Sequence, residues 1–246
     1  MKLNVFENKE DSGAAAAQLG ADYIRKAVEA EGHANIIVAT GASQFEMLSA
    51  LIEMPDIPWH KISIFHLDEY VGMSIEHPAS FRRYLWERFH SKLPVPPADF
   101  HYLNAEENPQ AECDRVGALI QVLKIHVCFA GIGENGHLAF NDPPADFETE
   151  APYKVVALDE ACRMQQMGEG WFPTFEDVPT HAISMSVRQI MKSEKMIITV
   201  PDERKSVAVQ GAVEGPVSPQ CPASILQNHE CCHFYMDAAG ASKLKV

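Results

Sequence analysis

Short apolar runs alternate with stretches of helical periodicity along the whole chain. Across residues 12–31, Ala14, Ala15, Ala16, Ala17, Leu19, Ala21, Ile24 and Val28 share one broad helical face, which predicts a helix. Residues 35–39 read as a buried strand ending in Thr40-Gly41-Ala42-Ser43, and a helix is predicted from about 44 to 53. Further strands are predicted at 61–67, 124–130, 195–200 and 233–236, the last closing the sheet, with others at 154–158 and 180–186. Helices are predicted at 81–89, 107–119, 187–192 and 203–214, the last stopped by Gly215-Pro216. A short surface helix is expected over 238–246. No repeat, low-complexity tract or Gly/Ser linker divides the chain, so residues 1–246 are expected to form one domain. Strand–helix–strand alternation predicts the α/β class, with a Rossmann-like, doubly wound, mostly parallel sheet flanked by helices.

Ligands in such a sheet bind beyond the carboxyl ends of the strands. Three of those ends carry candidate chemistry. In Ala39-Thr40-Gly41-Ala42-Ser43, a small-residue turn opens a helix, so backbone N–H groups and the helix dipole favour an anion. An ordinary helix cap by Ser43 is the competing reading, and there is no G-K-[ST] string of a Walker loop. Asp68-Glu69-Tyr70 is expected where a strand becomes a loop. Two adjacent acids there must be exposed or paired, and a carboxylate at a strand end suits a general base. The most specific segment is Gly131-Ile132-Gly133-Glu134-Asn135-Gly136-His137, followed by Asp142. Its glycines permit a tight path close to a ligand, and a histidine held by a carboxylate is a base poised near neutral pH.

Asp and Glu number 34 against 20 Lys and Arg, a formal net charge of −14. That balance argues against nucleic-acid and anionic-membrane partners and leaves room for a locally positive pocket. No apolar run has transmembrane length, and residues 1–8 lack the core of a signal peptide, so a cytoplasmic protein is expected. The six cysteines show no C-x-x-C or zinc spacing and are expected to be reduced and mostly buried. H-E-x-x-H and G-x-S-x-G are absent from the sequence.

Taken together and in this order, these segments resemble the glucosamine-6-phosphate deaminase (isomerase) family, whose sugar-phosphate relatives include the 6-phosphogluconolactonases. The resemblance spans essentially the whole chain. It is carried by Thr40-Gly41-Ala42-Ser43, by Leu67-Asp68-Glu69-Tyr70-Val71-Gly72 with Glu76-His77-Pro78-Ala79-Ser80-Phe81, by the glycine-rich loop through Pro143, and by Arg204-Lys205. The ending Ala139-Phe140-Asn141-Asp142-Pro143 looks like the deaminase branch rather than the lactonases. The resemblance implies aldose–ketose isomerisation with loss of ammonia from a phosphorylated amino sugar, glucosamine 6-phosphate first. It implies a catalytic set of Asp68, His137, Asp142 and Asn135, and a substrate and phosphate site of Thr40, Gly41, Ala42, Ser43, Gly136 and Lys205. His137, oriented by Asp142, would open the ring, and Asp68 would move a proton from C2 to C1. No metal or organic cofactor is implied, because the amine supplies the electron sink.

Three departures from the family pattern stand out. Asp142 stands where deaminases generally have Glu, and Asn135 where some members have Asp. The resemblance implies a mobile lid over about 145–177 that carries an arginine onto the phosphate, yet no Arg precedes Trp171-Phe172. Arg163 is the expected substitute, and Glu169 is expected to meet a substrate amine or face water. The chain ends soon after its last predicted strand, which leads to an expectation of a monomer or low-order homo-oligomer without allosteric control. A galactosamine-6-phosphate deaminase, a lactone hydrolase and a non-catalytic sugar-phosphate sensor are the alternatives.

Overall fold

Each predicted strand–helix alternation is realised in the computed structural model, which describes residues 1–245. The chain runs β1 (Lys2–Phe6), α1 (Lys9–Glu31), β2 (Ala34–Val38), α2 (Phe45–Glu53), β3 (Ile62–His66), β4 (Asp68–Tyr70), α3 (Phe81–Arg88) and β5 (Asp99–His101). It continues through α4 (Pro109–Ile120), β6 (Val127–Ala130), β7 (Tyr153–Ala157), α5 (Glu160–Gly168), β8 (His181–Met185), α6 (Val187–Met191), β9 (Lys195–Thr199), α7 (Ser206–Glu214) and β10 (Cys232–Asp237). Helix starts are set by side-chain caps: Asn8, Ser80, Asn108, Asp159 and Ser186 each accept a backbone N–H from the first turn. Ser80, not His77, caps α3; His77 Nδ1 accepts from Ala79 N just outside it.

The main sheet has the order β1-β10-β9-β6-β2-β3-β5, with every pair parallel. The chain grows outward from β2 to β3 and β5, then returns to β6 and grows the other way. The carboxyl ends of β2 and β6 therefore flank the topological switch point, where the connections diverge and leave a crevice. Their strands are nearly continuous apolar runs, as expected for a sheet covered on both faces. Helices α1 and α2 close one face over Ile36, Val38, Val127 and Phe129. The opposite core gathers Ile37, Phe65, Cys128 and Ile198 with residues of α4 and α7.

Several expectations are corrected. Asp68–Tyr70 is not a loop but β4, the edge of a second, antiparallel sheet of order β4-β8-β7. The strands predicted at 154–158 and 180–186 belong to that small sheet, not to the parallel one. Strand β10 does not close the main sheet; β1 pairs outside it, and Lys2–Phe6 is a short edge strand with no fully buried residue, unlike the unbroken apolar runs of the inner strands. The three-residue β5 was missed for the same reason. Residues 238–243 form turns rather than a helix, tied by Asp237 Oδ1 accepting from Gly240 N; Val246 lies outside the described residues. The range 145–177 is not one continuous flap, since it contains β7 and α5. Among the described residues, no helix is long and apolar enough to cross a membrane.

Candidate active site

A cavity of about 580 Å³ opens at the switch point. Its floor is the turn after β2, where Thr40, Gly41, Ala42 and Ser43 all line the space. Gly41 has φ +95°, a conformation that side chains with a Cβ rarely adopt. Its carbonyl accepts from Gln44 N at 3.1 Å and from Tyr84 Oη at 2.9 Å, which pins the turn. Residues 42–44 then make a 3₁₀ turn into α2, and Ser43 supplies no cap. The first N–H groups of such a helical start lack carbonyl partners in their own helix, so this floor is suited to an anion.

On one wall stands Asp68, at the start of β4. It is 8% exposed, and burial, reinforced by the neighbouring Glu69 carboxylate, raises its pKa to about 8. A carboxylate with that affinity can take a proton from carbon and give it back near neutral pH. Glu69 points the other way. It is 0% exposed and accepts from Tyr70 N, Ser80 Oγ, Phe81 N, Arg82 N and Arg82 Nε, at 2.8 to 3.4 Å. The adjacent acids thus divide: one faces the cavity, and the other holds the N-terminus of α3.

Opposite lies the loop after β6, with Gly131, Gly133 and His137 on the cavity. His137 Nδ1 is 3.1 Å from Asp142 Oδ1. Asn135 joins them, its Nδ2 donating to Asp142 Oδ1 at 3.1 Å and its Oδ1 accepting from His137 N at 3.0 Å. Burial pushes the Asp142 carboxyl up, but His137 and Asn135 outweigh it, and the net shift is downward. The carboxylate form is therefore the one that meets the imidazole. Asp142 and Asn135 sit behind His137 and do not line the cavity. The shorter Asp142 still reaches its histidine.

The remaining wall comes from the start of α7 and from α5. Lys205 is buried, with Nζ 3.9 Å from Glu169 Oε1. Burial lowers its pKa, partly opposed by Glu169 and Glu134. Glu169 neither faces water nor stands alone, since Gln165 Nε2 and Trp171 Nε1 donate to it. Two expectations fail here. Arg163 is not at the cavity; its guanidinium donates to the carbonyls of Phe175 and Val178 and stacks on the Phe175 ring, so it is spent on folding the segment after α5. Gly136 is also off the cavity; it turns at φ +82° beside Cys221, and its carbonyl accepts from Ala223 N.

Residues 7–234 match the family described as glucosamine-6-phosphate isomerases/6-phosphogluconolactonase. The chain belongs to this family. The glucosamine-6-phosphate deaminase of Streptococcus pneumoniae (strain Hungary19A-6) is 31% identical over 245 residues, covering 100% of both chains. That of Exiguobacterium sibiricum is 36% identical over 183 residues, covering 74% of this chain and 71% of its own. A solved monomeric glucosamine-6-phosphate deaminase superposes with a TM-score of 0.90 at 29% identity, covering 98% of this chain and 99% of that one. A 6-phosphogluconolactonase of Thermotoga maritima, at 14% identity and a TM-score of 0.79 over 96% of this chain and 99% of that one, shares the fold.

Within this glucosamine-6-phosphate isomerase/6-phosphogluconolactonase member, sequence reasoning singled out Glu169 but missed its neighbours Gln165, Gln166 and Trp171 on the same wall. Gln165, Gln166, Glu169 and Trp171 all line the cavity. Gln166 accepts from the buried Tyr70 Oη at 2.7 Å, and Gln165 Oε1 accepts from Glu134 N at 3.2 Å. The signal was available: 165 and 169 are four apart, and so share one helix face. Gly133 is the other unassigned position. A Cβ there would lie 2.2 Å from His137 Cε1, so only glycine leaves the ring its place. Gly133→Ala is expected to lower kcat by about 10–100-fold, since displacing a reacting group by about 1 Å costs that much. Steady-state kinetics beside circular dichroism check this; an unchanged kcat in a folded variant would show that the ring position is not critical.

Proposed function

We propose that the protein converts glucosamine 6-phosphate to fructose 6-phosphate and ammonia. The observation that carries this reading is the placing of Asp68 and His137 on the wall of one cavity whose floor is the turn at Thr40–Ser43. The phosphate rests on Gly41, Ala42 and Ser43, with Lys205 as the buried cation. His137, held by Asp142 and Asn135, moves protons between the ring oxygen and the C1 hydroxyl and opens the pyranose. Asp68 takes the C2 proton and returns it at C1, which turns the 2-amino aldose into a 2-imino ketose. Water adds to the imine carbon, and ammonia leaves. The names of the relatives, one of them matched over its full length, support the same substrate. The protein acts in the cytoplasm on a small phosphorylated sugar, as a monomer or low-order oligomer, in keeping with the relative described as monomeric.

The test is ammonia release coupled to fructose 6-phosphate detection. His137→Gln is expected to lower kcat by about 10²–10⁴-fold, the usual worth of a positioned acid–base group. The kcat/KM of the native protein is expected to rise with pH through about 8, because Asp68 must lose its proton before it can act as a base. Ammonia from galactosamine 6-phosphate alone would change the sugar assignment. Hydrolysis of 6-phosphogluconolactone with no ammonia from either amino sugar would overturn the reading.

A further inference from the structure

His137, Asp142 and Cys162 each offer one ligand atom, and these atoms all lie within 4.8 Å of one another. The geometry points to a zinc-binding site made by His137 Nδ1, Asp142 and Cys162 Sγ, where the ion inhibits by seizing the imidazole and its positioning carboxylate. The inhibition rests on the function proposed above; the binding does not.

Three observations favour an ion rather than plain packing. His137 Nδ1 and Asp142 Oδ2 are buried and make no well-aligned hydrogen bond, although Nδ1 stands 3.1 Å from Asp142 Oδ1, and His137 itself is only 8% exposed. A buried polar atom left unpaired is costly and calls for a ligand. Next, Sγ is placed by a fixed element. Asp159 accepts from Cys162 N at 2.7 Å and locks the first turn of α5, with Cys162 1% exposed. Finally, nitrogen, oxygen and sulfur together suit zinc, at about 2.0 Å to N or O and about 2.3 Å to S. Tetrahedral zinc with such bonds spaces its ligand atoms by roughly 3.3–3.7 Å. The pair of His137 Nδ1 and Asp142 Oδ1 stands at 3.1 Å, so a shift of about 1 Å or less at Sγ completes three corners. The fourth corner takes water. His137 lines the cavity, which supplies the way in.

The charges balance. Zinc binds the thiolate, so the Cys162 thiol proton goes to solvent as Sγ takes the metal. Asp142 is held as a carboxylate. The neutral imidazole gives Nδ1 to the metal and keeps its proton on Nε2, so one proton leaves per ion bound. With Nδ1 on the metal and the proton held on Nε2, the ring has no free nitrogen to accept a proton from the substrate.

The experiment titrates the purified chain with zinc against a chromophoric chelator, with cobalt as a spectroscopic substitute. Native protein is expected to bind one equivalent and to show a thiolate-to-cobalt charge-transfer band. Cys162→Ala is expected to lose both, and Cys162→Ser to lose the band and bind zinc more weakly, while Cys231→Ala keeps them. The Cys231 variant is the needed control, because Cys231 Sγ lies 3.7 Å from His233 Nε2. Equimolar zinc should suppress ammonia release by native protein, EDTA should restore it, and Cys162→Ser should need about 30-fold more zinc, within the usual range for a weakened metal site. Native-like circular dichroism of the serine variant shows that it folds. Binding unchanged in both Cys162 variants, or lost in Cys231→Ala, overturns the site. Failure of the deaminase reading would remove only the ammonia readout and leave the chelator and cobalt results standing.

Discussion

Asp68→Asn is expected to lower kcat by about 10³-fold or more and, at the same time, to stabilise the fold at alkaline pH. The activity loss follows from removing the only base proposed for the C2 proton. The stability gain follows from proton linkage. The carboxyl titrates near 8 in the folded chain and at its ordinary 3.8 when unfolded. Between those values the folded state holds a proton that the unfolded state has lost. Native stability therefore falls as pH rises from about 4, and the loss is complete above about 8. Asparagine does not titrate. The melting temperature of the variant should gain on the native protein by roughly 10 °C between pH 5 and pH 9, taking about 4 kcal/mol for about three linked pH units at about 2–4 °C per kcal/mol. Paired thermal melts at pH 5 and pH 9 check this. An equal gap at both pH values would mean that Asp68 is an ordinary carboxylate.

Glu69→Ala, one residue along, has the opposite expectation. Truncation leaves Arg82, only 5% exposed, without its buried carboxylate, and removes the acceptor for three backbone N–H groups and the Ser80 hydroxyl. Arg82 keeps its bonds to the Met73 carbonyl and to Glu106. Removing one partner of a buried pair costs about 3–5 kcal/mol, which is roughly a 10 °C fall in melting temperature for a chain of this size. Glu69→Gln, which keeps the volume and one oxygen, should lose less. A fall under about 1 kcal/mol for the alanine variant, within the range of surface substitutions, would contradict the role assigned to this carboxylate.

The parallel sheet was legible because its inner strands are buried on both faces and so read as unbroken apolar runs. Residues 36–38 and 196–198 are examples. The small sheet was not, because β4 has three residues, two of them acids, and its partner β8, which in turn pairs with β7, lies far along the chain. Strand pairing over such separations leaves no local pattern. At the site, Asp68, His137 and the turn at 40–43 could be found from their position after strands. Arg163 was misassigned because a charge count cannot distinguish a cation that meets a ligand from one that meets carbonyls of its own loop. Glu169 was hard to place because its cationic partner Lys205 lies far along the chain and meets it only in the fold.

The alternation along β4 also constrains chain length. Removing Leu67 would bring Glu69 into the place of Asp68, one methylene longer, and turn Tyr70 toward α3, where it offers no carboxylate for Arg82. Inserting a residue there would send Leu67 into the cavity and Asp68 against the helix. Either change would cost both the base and the anchor of α3 at one stroke. Among relatives, length variation between the end of β3 and the start of α3 should therefore be scarce beside the turns at 90–98 or 215–221, where no such pair of duties rides on the count of residues.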